Sequence, residues 1–129
     1  MILCKNIEYC MDSLDINNYG NKEIYFYCIC SKYYSDKKLF YNKLNEIEFY
    51  DTILFDCLQY EHIFDYFLNK YKDKIDINLQ YGDYEYTILH LLINEKQYDL
   101  FKEVFNLFKD RMTDKLYNYC IKQIRELNI

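Results

Sequence analysis

The strongest constraint on this chain is a phrase that it repeats. "DTILFDCL" at 51–58 and "YTILHLLI" at 86–93 share Thr-Ile-Leu, 35 residues apart. "LDINNYG" at 14–20 and "IDINLQYG" at 75–82 share Asp-Ile-Asn, with Tyr-Gly close behind. A third echo is apolar: Leu39, Phe40 and Leu44, then Ile63, Phe64, Phe67 and Leu68, then Leu100, Phe101, Val104 and Phe105. The second and third sets follow i, i+1, i+4, i+5 and the first follows i, i+1, i+5, which places each on one face of a helix.

The order of elements recurs as well: an Asn-bearing loop, a helix, a short break, a second helix. Unit one spans 14–44, with "EIYFYCIC" at 23–30 as its first helix; unit two spans 45–74; unit three spans 75–110. Glu23 to Thr52 is 29 residues and Thr52 to Thr87 is 35. A period of about 33 residues with two helices per unit predicts a helical solenoid. One helix pair cannot bury its apolar face alone, so neighbouring pairs must stack. Composition agrees. The chain has no Pro and only two Gly, which removes the usual means of building a turn-rich β-protein. We therefore expect an all-α fold in one domain, 1–129, with 1–13 as an N-terminal cap and 111–129 as a C-terminal capping helix. "MTDKLYNYCIKQIREL" at 112–127 supplies Thr113 as an N-cap, a stripe of Leu116, Cys120, Ile121 and Ile124, and Arg125 near the end.

These residues resemble the ankyrin repeat. "TILHLLI" is similar to that family's Thr-Pro-Leu-His motif, with Thr87 at the threonine, His90 at the histidine, and Leu92 and Ile93 at the two alanine positions. Asp99, Phe101, Val104 and Phe105 fall on the acidic and apolar positions of the second helix, and Asn78 lies one place from the loop asparagine. Ile53 and Ile88 stand at the motif proline, Phe55 at the unit-two histidine and Glu23 at the unit-one threonine. Glu85 stands where the family has the glycine of its hairpin tip, and Gly82 comes three residues early. The displaced glycine predicts an irregular loop before Thr87.

A lone histidine beside an apolar run asks whether it serves chemistry or scaffold. His90 lies three residues after Thr87, at the position whose backbone N–H a threonine N-cap receives. Thr52, Thr87 and His90 are therefore assigned structural roles. His62, the other histidine, has no Cys or His three or four residues away, so no metal site is expected. The six cysteines, at 4, 10, 28, 30, 57 and 120, form no Cys-x-x-Cys pair. We read them as reduced, mostly buried thiols of a cytoplasmic protein, of the producing cell or of a host. The start "MILCKNIEYCMDSL" has no h-region, and no apolar run approaches the length of a membrane span.

Enzyme signatures are missing too. There is no Gly-rich phosphate loop and no Gly-x-Ser-x-Gly, so no catalytic residue and no cofactor is expected. The net charge of −5 disfavours direct binding to nucleic acid or to anionic lipid. The ankyrin resemblance implies that loop tips and the exposed end of each first helix bind another protein. Carried over, those positions are Asp83, Tyr84, Tyr86, Asn94 and Glu95 in unit three and Glu48, Phe49, Asp51, Gln59 and Tyr60 in unit two. Unit one offers Tyr19 and Lys22. Aromatic rings supply large contact area at low entropic cost, beside carboxylates suited to a basic partner. The expected function is a small non-catalytic binder that acts by occlusion, as an inhibitor or immunity protein. The alternative is an acidic imitation of nucleic acid that blocks a nuclease or another nucleic-acid-binding enzyme.

Overall fold

A computed structural model of the protein describes residues 22–129. The N-terminal cap at 1–13, the first Asn-bearing loop and Tyr19 lie outside the described residues. The described residues hold seven α-helices: α1 (Lys22–Tyr33), α2 (Lys37–Asn45), α3 (Ile53–Asp56), α4 (Glu61–Lys70), α5 (Ile88–Asn94), α6 (Tyr98–Phe108) and α7 (Asp114–Leu127). A short 3₁₀ turn at Lys109–Arg111 precedes α7. Among the described residues there is no strand, only an isolated antiparallel bridge between Tyr81 and Tyr86. The all-α class is thus observed, and consecutive helices pair as α1 with α2, α3 with α4 and α5 with α6.

Two compact units are present, one ending at Ile75 and one running from Asp76 to Ile129. In the first, Phe26, Ile29, Phe40, Leu44, Ile53, Ile63, Phe64 and Phe67 are fully buried. Phe26 meets Phe67 with ring centroids 5.8 Å apart. Asp36 starts α2 by accepting the Leu39 amide at 3.3 Å. Leu39 itself is 46 % exposed, so it does not join Phe40 and Leu44 on the buried face as its apolar character suggests. Phe40 and Leu44, four apart, already fill the side of this nine-residue helix that meets the core.

In the second unit Leu89, Leu92, Phe101, Val104, Phe108 and Cys120 are fully buried. Thr113 accepts the Leu116 amide at 3.3 Å, which makes it the N-cap of α7. Of the expected α7 stripe, Leu116 and Cys120 are buried while Ile121 and Ile124 are half-buried. Asn78 ties this unit together along the sequence. Its Nδ2 donates to the Arg111 carbonyl and its Oδ1 accepts the Thr113 amide, both at 2.9 Å. Its own amide donates to Asp76 Oδ1 at 3.0 Å, closing an Asx turn within the repeated Asp-Ile-Asn phrase.

Cys28, Cys57 and Cys120 are buried free thiols, and Cys30 is half-buried. Burial holds Cys120 at about 12, and burial with the nearby Asp56 charge pushes Cys57 well above the ordinary thiol range. Neither is poised to react as a thiolate at neutral pH.

Candidate functional site

The segment before α5 closes into a tight hairpin. The Tyr81 amide donates to the Tyr86 carbonyl at 3.0 Å, and the Glu85 amide donates to the Gly82 carbonyl at 3.2 Å. Gly82 has φ +85° and Glu85 has φ +53°. The loop closes on a single antiparallel bridge, Tyr81 with Tyr86, and a non-glycine residue, Glu85, adopts the left-handed conformation at its turn. That conformation costs an L-residue about 1–2 kcal/mol, so the closing hydrogen bonds and ring contacts of the hairpin offset local strain.

The hairpin leads into Thr87, which is 4 % exposed and carries the start of α5. Thr87 Oγ1 accepts the His90 amide at 3.5 Å, and His90 Nδ1 accepts the Thr87 amide at 3.2 Å. Because Nδ1 receives that backbone proton, it is the unprotonated ring nitrogen. The Thr87 hydroxyl, 2.9 Å away, then donates to it as well. Burial lowers the His90 pKa, and the Lys115 charge adds to the effect. The imidazole is thereby held neutral, as an acceptor in a cap.

Stacked rings run outward from this cap. His90 lies 4.1 Å from the Tyr119 ring of α7 and 5.2 Å from Tyr86, and Tyr86 lies 5.6 Å from Tyr84. Interplanar angles of 27°, 11° and 24° make the four rings one column. Its outer end, Tyr84, is 80 % exposed. Asp83 and Glu85 flank it, both exposed. A hydrated ring on a rigid stack, between two carboxylates, can take an apolar or cationic group of a partner at low entropic cost.

The other carried-over positions fall as follows. Asn94 and Glu95 are exposed at the C-terminal end of α5, about 10 Å along the axis from its start. They are not part of the hairpin cluster. Glu48, Asp51 and Gln59 are exposed, whereas Phe49 and Tyr60 are half-buried. Phe49 packs edge-on to Tyr71 at 5.3 Å. Lys22 is half-buried at the start of α1, with its Nζ 5.1 Å from the Tyr50 ring. Tyr86 is half-buried between Tyr84 and His90, so it supports the surface more than it displays it. Thr52 stands at the N-cap of α3, where its carbonyl accepts the Phe55 and Asp56 amides at 3.0 and 3.2 Å. Its hydroxyl makes no cap bond, because ψ of 16° turns it away from the extended geometry that Thr87 adopts with ψ 171°.

Sequence reasoning passed over Tyr119, the inner end of the column, because nothing near "LYNYC" ties it to His90, 29 residues earlier. His62 also serves structure, sharing a 2.8 Å hydrogen bond between its Nε2 and the Tyr34 hydroxyl. Among the described residues no group of three His, Cys, Asp or Glu side chains converges as a metal-ligand set. No helix of the described residues is long and apolar enough to cross a membrane. No family model, no curated protein and no solved structure matches the chain.

Proposed function

We propose that this protein is a non-catalytic protein-binding module of ankyrin-like helix pairs, which acts by covering a surface of its partner. The observation that carries this reading is the Tyr84 column: an aromatic ring 80 % exposed, backed by three stacked rings. A ring held this way is ready to bury against another molecule with little ordering cost. The ankyrin likeness is supported by the reciprocal Thr87–His90 cap, by pairing of consecutive helices, and by Glu85 taking a left-handed turn where that family has glycine. Asp83 and Glu85 favour a basic partner surface, and such charges act mainly on association rate and specificity.

Affinity capture followed by mass spectrometry tests the reading, with wild type compared with Tyr84→Ala. Proteins retained by wild type and lost from the folded variant support it; an identical captured set contradicts it. The exposed carboxylates Glu48, Asp51, Asp83 and Glu85 favour a second reading, an acidic nucleic-acid mimic. In that case excess nucleic acid displaces the captured proteins, and Tyr84→Ala matters less than Asp83→Asn.

A further inference from the structure

The hairpin that carries Tyr84 is held to its unit mainly through one ring. Residues 80–85 are all exposed, and a Cβ at Gly82 would meet nothing within 4 Å. Within 80–86 only Tyr86 is half-buried, its ring 5.2 Å from His90 and nearly parallel to it. Two amide bonds close the hairpin itself, Tyr81 to the Tyr86 carbonyl and Glu85 to the Gly82 carbonyl. A segment with so little buried area and so few backbone bonds lies at the low end of local stability.

The ring that holds it is a titratable group used in one protonation state. His90 Nδ1 accepts from two donors at once, the Thr87 amide at 3.2 Å and the Thr87 hydroxyl at 2.9 Å. A proton added to the neutral imidazole goes to Nδ1, the bare nitrogen, and then points at both donors. The hydroxyl can turn and accept instead; the amide cannot. Thr87 is 4 % exposed, so water does not replace the lost acceptor while the ring stays in place. A buried donor without a partner is costly, so the imidazolium has to shift before the Thr87 amide can be solvated.

The groups that face the imidazole from other elements are Lys115 and Tyr119 of α7 and Tyr86 of the hairpin. Burial, and after it the Lys115 charge, favour the neutral ring. The faces of Tyr119 and Tyr86 attract a cation and oppose this. At a half-buried site that attraction is weaker than the cost of an orphaned buried amide. Asp83 and Glu85, the exposed carboxylates of the hairpin, flank Tyr84 at the other end of the column.

We propose that protonation of His90 undocks the 81–86 hairpin, so that acidification switches off the Tyr84 surface while the helices behind it stay folded, a regulation that rests on the binding role assigned to Tyr84. The switch has two positions, Tyr86 stacked on a neutral His90 or free of a charged one, and the proton biases the choice.

The test is an NMR titration of the free protein from about pH 8 to about 4.5, which brackets the charge change of an imidazole. The Tyr84 and Tyr86 ring signals should move to solvent-exposed values, and the Tyr81 amide should lose its exchange protection. Both should follow the midpoint of the His90 ring, while the buried Phe101 and Val104 keep their folded signals. His90→Gln keeps a side-chain acceptor that does not titrate and should abolish this step. Lys115→Glu, at an exposed position, replaces a repelling charge with an attracting one and should raise the midpoint by about half a unit. Should His90→Gln fail to fold, Lys115→Glu decides alone. Hairpin signals that ignore the His90 midpoint, no His90 titration in this range, or a step that persists in folded His90→Gln overturns the proposal. So does a midpoint that Lys115→Glu leaves in place, or loss of the Phe101 and Val104 signals in the same step. Because no partner is present, the outcome does not depend on whether Tyr84 binds one.

Discussion

Thr87 and His90 cap each other across one helical turn: each backbone amide donates to the side chain of the other, at 3.2 and 3.5 Å. The pair satisfies two of the amide groups that every helix start leaves without internal partners. It fixes α5, and through α5 the direction in which the hairpin leaves the body. Thr87→Ala and His90→Ala should each lower stability by about 1–3 kcal/mol in urea unfolding. The double variant should lose clearly less than their sum, since each single change already breaks the shared cap. Full additivity would separate the two residues.

The same pair predicts a pH dependence. Burial depresses the folded-state pKa of His90, so the folded protein binds its proton less readily than the unfolded chain does. The stability linked to neutral His90 is present above the unfolded value of about 6.5. It is lost as pH falls through the lower folded value. Asp56 and Asp65, both raised by burial, act in the opposite sense at lower pH. The clean readout is therefore the difference between wild type and His90→Ala. That difference should shrink as pH is lowered from 7 to 5; a constant gap would remove the imidazole from the cap.

Glu85 invites a stabilising change. Its φ of +53° and its exposure mean that Glu85→Gly removes local strain without opening a cavity. Glycine costs more unfolded-state entropy, so the net gain should be about 0.5–1 kcal/mol. Glu85→Ala should give no such gain. A loss of stability on Glu85→Gly would mean that the left-handed turn is absent in solution.

The two tyrosines of the hairpin should behave differently. Tyr84 is exposed, and Tyr84→Ala should shift the thermal midpoint by no more than about 2–3 °C, in line with surface substitutions. Tyr86 has a ring on each side, and Tyr86→Ala should lower stability by about 1 kcal/mol through lost stacking. Phe101 is fully buried, and Phe101→Ala should cost about 3–5 kcal/mol. A Tyr84→Ala midpoint as low as that of Phe101→Ala would place the ring in the core.

The helices were legible in the sequence where periodicity and caps agreed. Phe101, Val104 and Phe105 are all buried, and Thr113 caps α7. Thr87 with His90 was readable because a cap joins residues three apart. The missing hydroxyl cap of Thr52 was not legible, since the same Thr-Ile-Leu phrase gives no information on ψ, and α3 stops after one turn at Asp56. The hairpin was hidden because residue preference alone argues against a left-handed Glu85. Tyr119 could not be singled out, because stacking depends on groups far away in sequence. Asn78 stood in the repeated phrase, but its latch to Arg111 and Thr113 needed the fold.

The most direct test of the Tyr84 surface is a dissociation constant for the captured partner, measured by calorimetry for wild type and Tyr84→Ala alongside their thermal melts. An unchanged melt with binding weakened by about 2 kcal/mol or more, roughly 30-fold, is the predicted result. A folded Tyr84→Ala that binds with the wild-type constant would contradict it.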